Sequence, residues 1–236
     1  MTQATTAPRD GRADRNGRTR EPLTRDRILT AALRFADDHG LQALSMRKLA
    51  SELNVEAMSL YNHIDNKDDI LAGIADLVFA EVEIPSAESG DWDRRLRSVS
   101  ETAREALSRH SNVVPIILAG SNRGPAYLHL MEYVVGTMRE AGFTADMAHR
   151  GWHTLVAHVL GYVLQETATP ILISANPARA AGDRSISLAD LPQSDFPHIV
   201  EIAPLLAACE IADEFEFGLD VILSGLAAKL IVANGG

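Results

Sequence analysis

The sequence predicts an all-helical protein in two parts: a small three-helix helix-turn-helix unit near its start and a larger helical domain after it. Three observations carry that prediction. From Thr24 onward apolar residues recur at helical spacing, residues that cap or end helices stand between the apolar runs, and no alternating pattern of a strand is present.

The first unit can be justified element by element. Thr24 suits the cap position of a helix, since its hydroxyl accepts from an amide of the first turn. Ile28, Leu29, Ala32, Leu33 and Phe35 then share a face, and Gly40 suits the backbone conformation that ends it. Ser45 caps a second helix whose Met46, Leu49, Ala50 and Leu53 lie on one side. Asn54 tolerates a tight turn and Val55 faces the core beneath it. The chain becomes helical again at Glu56, with Leu60 and Ile64 inward and Ala57, Met58, Ser59, Tyr61, Asn62 and His63 outward or flanking. Two short helices joined in this way place the second in the major groove of DNA, while the first crosses the backbone.

The stretch Thr24–Phe79 resembles the DNA-binding domain of the tetracycline-repressor (TetR) family of one-component regulators. Gly40, Ser45, Leu49, Ala50, Val55, Ser59, Leu60, Tyr61, His63, Lys67 and Leu71 carry the likeness, most specifically within LYNHIDNKDDIL. Trp92–Gly120, Gly142–Gln165 and Phe215–Leu226 more loosely resemble the ligand-binding and dimerisation domain of the tetracycline-repressor branch. The resemblance implies DNA contacts from Ser45, Arg47, Ser59, Tyr61, His63 and Lys67, the last on a phosphate. Ala57 and Met58 offer only apolar contact, such as to a thymine methyl, and Asn62 replaces an aromatic residue of the tetracycline repressors. Both departures imply a different operator.

The larger domain reads as helices throughout. Asp68–Phe79 links the two parts, Asp91 caps a helix running from Trp92 to about Ser108, and a short helix follows near Val113–Ala119. Pro125 begins a helix ending at Gly142, and Thr144 caps another to about Thr167. Residues 169–195 are rich in proline, serine and glycine and read as a mobile connection. Pro197–Cys209 and Asp213–Ala233 complete the set. The boundaries expected are therefore a basic, disordered tail over 1–22, the motif with its linking helix over 23–80, and a ligand-binding and dimerisation domain over 81–236. Ala148, Trp152, Leu155, Val156, Val159, Leu160, Val163 and Leu164 form one broad apolar face. Phe215, Leu219, Ile222, Leu223, Leu226, Ala227, Leu230 and Ile231 form another. By themselves these faces fit a core within one subunit; the resemblance implies a four-helix homodimer interface.

Charge divides along the same line. The chain carries a net −10. Residues 81–236 hold 11 Lys and Arg against 20 Asp and Glu, and the first 20 residues hold five arginines against two aspartates. An acidic bulk repels a polyanion, so DNA affinity must come from a local face and tail. No apolar run is long enough for a membrane span and no secretory signal is legible, so a cytoplasmic protein is expected. Cys209 is the single cysteine, which excludes an internal disulfide.

Where the tetracycline repressors hold a magnesium–drug chelate with polar side chains, motif alignment puts Val99, Leu118, Val134 and Gln165 here. That chemistry is largely gone, and no cofactor is expected. A pocket lined by Val99, Ala103, Leu118, Ser121, Met131, Val134 and Trp152 implies a neutral apolar or aromatic small-molecule effector. Two other classes compete. His149 and His153 stand four apart with Asp146 a turn earlier, a zinc-binding spacing, yet no glutamate base lies between them as a metalloprotease helix requires. Alternatively, the large domain docks a protein partner.

Overall fold

The computed structural model describes residues 22–86, 90–120, 124–167, 191–208 and 211–234. The expected tail, Ser121, Cys209 and most of the proline-rich connection lie outside them. The described residues form ten α-helices: α1 (Arg25–His39), α2 (Met46–Glu52), α3 (Ala57–Leu60), α4 (Lys67–Ala80), α5 (Trp92–Arg109), α6 (Val114–Leu118), α7 (Pro125–Glu140), α8 (Ala145–Thr167), α9 (Pro197–Ala208) and α10 (Ile211–Asn234).

Local chemistry sets these limits. Thr24 accepts from the Arg27 amide at 3.2 Å and Ser45 from the Lys48 amide at 3.3 Å, capping α1 and α2. Gly40 ends α1 at φ 75°, and Asn54 makes the turn between α2 and α3 at φ 53°, conformations that most side chains resist. Regular helix in α3 lasts only one turn, because the following Tyr61–His63 is a chain of turns. Leu60 and Ile64 are nevertheless buried together, at 0% and 1% exposure. Asn66 caps α4, accepting from the Asp69 amide at 2.9 Å. Asp91 precedes α5, but its side chain makes no capping hydrogen bond, contrary to expectation.

Helix α4 is packed on both sides. It lies against α1 in the motif domain and against α5, α6 and α7 in the larger one. Its Ile70, Ile74, Ala75 and Val78 are buried to the last per cent. Each such aliphatic side chain contributes about 1.5–3 kcal/mol on leaving water. Helix α8 forms the spine of the larger domain, touching α5, α7 and α10.

Two expectations about the long helices need correction. Ala148, Trp152, Leu155, Val159, Leu160 and Val163, with Phe215, Leu219 and Leu223, are buried inside one subunit, so this part of each face belongs to its core. Leu164 and Ile231, both members of the expected faces, stay exposed, the latter at 73%, as do Phe217 at 68% and Val221 outside them. The periodic signal was read correctly as apolar, but both helices are apolar on two sides, and pattern alone does not say which side is internal. Helix α9 packs only marginally on the other described elements and exposes Phe196, Ile199, Ile202, Leu205 and Leu206 nearby. No helix among the described residues is long and apolar enough to cross a membrane.

Candidate DNA-binding face and effector cavity

The motif domain presents one polar face. Ser45, Arg47, Asn62, His63 and Lys67 are exposed, while Ala57 and Ser59 are half-buried. Met58 is 73% and Tyr61 47% exposed, unusual for side chains so large and apolar. The face is held from below by Leu49, Leu60 and Ile64 and from the side by an ion pair. Arg25 grips Asp69 with both guanidinium arms, at 2.5 and 2.7 Å, and Asp69 also accepts from the Asp65 amide at 3.1 Å. The Arg25 hydrogen bond holds the Asp69 carboxyl below the ordinary carboxylate range. Thus α1, the turn after α3 and the first turn of α4 are tied to one another.

Above it, α4 to α8 line a half-open cavity of about 190 Å³. Val99 and Ala103 of α5, Val134 of α7 and Trp152 of α8 line it, as the sequence led us to expect. Leu118 and Met131 do not. Leu118 is 51% exposed and its neighbour Ile117 faces the cavity instead. On α7 the lining stripe runs through Tyr127, Leu130 and Val134, which leaves Met131 one step of helical phase aside. Phe79 of the linking helix was missed, although its place at the end of an apolar α4 face marked it as pointing into the larger domain.

The wall is aromatic on one side and predominantly apolar. Phe79, Tyr127 and Trp152 form an edge-to-face chain with centroids 5.3 and 5.8 Å apart. No charged side chain is among the lining residues; the buried Ser100 hydroxyl donates to the Leu96 carbonyl at 2.7 Å. A charged guest would lose its hydration here with nothing to replace it, whereas a flat neutral ring finds matching faces.

Three contacts join the parts. Asp76 of α4 accepts from the Ala126 and Tyr127 amides of α7. His110 lies between Asp37 of α1, at 2.9 Å, and Glu81 after α4, at 3.1 Å. Burial pushes the Asp37 carboxyl up. Asn112 donates to the Ala36 and Asp37 carbonyls at 3.0 and 3.2 Å. Each spans 29 to 76 residues of chain, so no local pattern announces it.

The histidines of α8 point elsewhere. His149 and His153 are exposed with rings 4.6 Å apart, and Asp146 is engaged by Arg150 at 2.8 Å. Among the described residues no group of three histidine, cysteine or acidic side chains is arranged to hold a metal ion.

Comparison with known proteins agrees with this layout. Residues 84–230 match the family described as tetracyclin repressor-like, C-terminal domain, and residues 28–74 match that of bacterial regulatory proteins, tetR family. An HTH-type transcriptional regulator of Saccharopolyspora erythraea is 30% identical over 220 residues, covering 92% of this chain and 90% of that protein. The class A tetracycline repressor from transposon 1721 of Escherichia coli is 30% identical over 217 residues, covering 88% and 92%. Apo ActR from Streptomyces coelicolor has a similar structure, with TM-score 0.79 and 31% identity over 90% of this chain and 99% of its own. ActR in complex with actinorhodin gives 0.74 and 32%, covering 89% and 99%.

Proposed function

The chain belongs to the tetracycline-repressor (TetR) family of transcriptional regulators, and from that premise we propose a homodimeric repressor that a small, neutral, aromatic effector releases from its operator. It is a DNA-binding regulator, not an enzyme. Helix α2 crosses the sugar-phosphate backbone with Ser45 and Arg47, and α3 enters the major groove. There Ser59, Tyr61, Asn62 and His63 meet bases and phosphates, Ala57 and Met58 give apolar contact, and Lys67 neutralises a phosphate.

The effector occupies the cavity among Val99, Ala103, Val134 and Trp152. One observation carries this half of the reading: Phe79, a residue of the linking helix, is part of the cavity wall. A guest therefore cannot fill the space without pressing on the element that bears the motif domain. The complexes of ActR with (S)-DNPA and actinorhodin support a small-molecule effector for this chain as well.

A second copy of the chain covers what one subunit leaves wet. Phe217, Val221 and Ile231 of α10 and Leu164 of α8 make the seam, and the apolar side of α9 finds cover in the same association. Two-fold symmetry then sets the two α3 helices about one turn of B-DNA apart, roughly 34–36 Å. The effector favours a tilt of α4 that spoils this spacing, and it does so only by its difference in affinity for the two states.

The purified dimer tests both halves. It should select one duplex over random competitor at modest ionic strength; absence of any preference ends the regulatory reading. A set of neutral polycyclic aromatics should then yield compounds that raise the melting temperature and release that duplex. If none does either, the effector reading fails.

A further inference from the structure

Asp76 stands on α4 one turn before Phe79 and faces the start of α7. Its Oδ1 accepts from the Ala126 amide at 2.9 Å and from the Tyr127 amide at 3.2 Å. The reason lies in the first turn of α7. Pro125 has no N–H to offer, and the next two amides have no acceptor within their own helix. One carboxylate takes both, and meets the positive end of a 16-residue helix. Position 124 must be glycine for this to occur, because any Cβ there would overlap the Asp76 side chain.

The same few residues wall the cavity. Tyr127 donates its amide to Asp76 and turns its ring to the cavity, edge-on to Phe79 at 5.3 Å. Helix α4 is thus pinned to α7 at Asp76 and exposed to a guest at Phe79. At its other end it is bound to the motif domain by the Arg25–Asp69 pair.

From this arrangement we infer that Asp76 is a positioning residue, the fulcrum that converts filling of the cavity into a swing of the recognition unit. It touches neither effector nor DNA, and the inference rests on the effector reading given above. With a rise of 1.5 Å per residue, Phe79 lies roughly 4.5 Å to one side of Asp76 and Lys67 roughly 13.5 Å to the other, so a push at Phe79 is multiplied about threefold at Lys67. Without the pin, α4 yields bodily to the guest ring and the gain disappears.

The test compares full-length wild type with Asp76→Ala, Asp76→Asn and Gly124→Ala, using hydroxyanthraquinone as the probe. Gly124 sits at φ −69°, which alanine adopts freely, so that change breaks the contact from the α7 side and carries the test should Asp76→Ala not fold. Three quantities are read: probe affinity by quenching of tryptophan fluorescence, operator affinity with and without saturating probe, and hydrogen exchange at the Ala126 and Tyr127 amides.

In wild type the probe should weaken operator binding within the usual range of about 5- to 150-fold. In Asp76→Ala and Gly124→Ala that ratio should fall below about 2, with probe affinity kept within about threefold, and the two amides should exchange roughly tenfold faster. Asp76→Asn, whose amide oxygen still accepts both bonds, should retain the wild-type ratio. If wild type itself shows no release, the effector reading falls and takes this inference with it. If wild type responds and both disrupting variants respond equally well despite faster exchange, only the role of Asp76 falls. Loss of the ratio in Asp76→Asn with both amides still protected would also overturn it.

Discussion

Lys67→Ala offers a quantitative test of the DNA-binding face, because the consequence of its charge can be worked out before any operator is known. Lys67 is the first residue of α4, exposed, and directly after the Asn66 cap beside the recognition turns. If it neutralises one phosphate in each subunit, the dimer loses two such contacts in the variant. Every neutralised phosphate adds about −0.9 to the slope of log affinity against log salt, so the variant's slope should be shallower by about 1.8. Between 50 and 200 mM salt, wild type should therefore lose about 12 times more of its affinity than Lys67→Ala does. The difference does not depend on how many other phosphates the protein holds, nor on any contribution from the arginines of the tail. Anisotropy of a labelled duplex, titrated at four salt concentrations, measures it. Met58→Ala is the control: it removes a side chain 73% exposed on the same face but no charge, and should leave the slope unchanged. Parallel slopes for wild type and Lys67→Ala would place Lys67 away from the phosphates and refute the docking described here.

Other expectations are simpler to state. Ile74→Ala, at a site of α4 with 0% exposure, should cost about 2–5 kcal/mol in urea unfolding; a loss under about 1 kcal/mol would mean α4 is not packed as described. Val99→Phe should intrude into the 190 Å³ cavity and weaken aromatic probes by at least about tenfold while operator binding without probe stays intact. Unchanged probe affinity would move the effector site elsewhere. Burial holds His158 below its ordinary value of 6.5, even though the Phe215 carbonyl and Glu216 oppose the shift. Between that value and the lower folded one the unfolded chain binds a proton that the folded chain refuses, so stability is full above about pH 6.5 and declines as pH falls. The melting temperature of His158→Asn should accordingly fall less than that of wild type from pH 7.5 to 5.5, and coincident falls would contradict the assignment.

What could be read from sequence follows from the range of the interactions concerned. Thr24, Ser45 and Thr144 cap helices with side chains that reach only three residues ahead, and all three were legible. Leu60 and Ile64 were recognisable as inward because their partners, too, lie within the motif. The cavity was half legible: Val99, Ala103, Val134 and Trp152 face it, but a phase error of one residue put Met131 where Leu130 is. On α8 and α10 the apolar faces were plain and their allocation was not, since Phe215 at 0% and Phe217 at 68% exposure stand two residues apart in the same kind of sequence. Asp76 and His110 left no trace at all. An aspartate within an amphipathic helix reads as a solvated side chain until the start of another helix, 50 residues on, is brought against it.

The charge distribution gives a reason for the lever to exist. A chain with net charge −10 approaches DNA against repulsion, and the docking proposed above sets just two fixed cations, Arg47 and Lys67, against phosphates in each subunit. One such head alone binds weakly. Two heads joined at a fixed spacing bind as the product of their affinities, scaled by an effective concentration that collapses when geometry forbids both from engaging together. A regulator with a highly basic face would stay on DNA through non-specific contacts after its spacing was spoiled. On this account the second head supplies most of the hold, and a swing of a few ångströms at Lys67 would suffice to lose it. Adding cations to this face, for example Ser51→Arg and Glu52→Arg at exposed positions of α2, should therefore raise operator affinity and blunt release by an effector. If release stays as complete in that variant, the weak-head account of sensitivity is wrong.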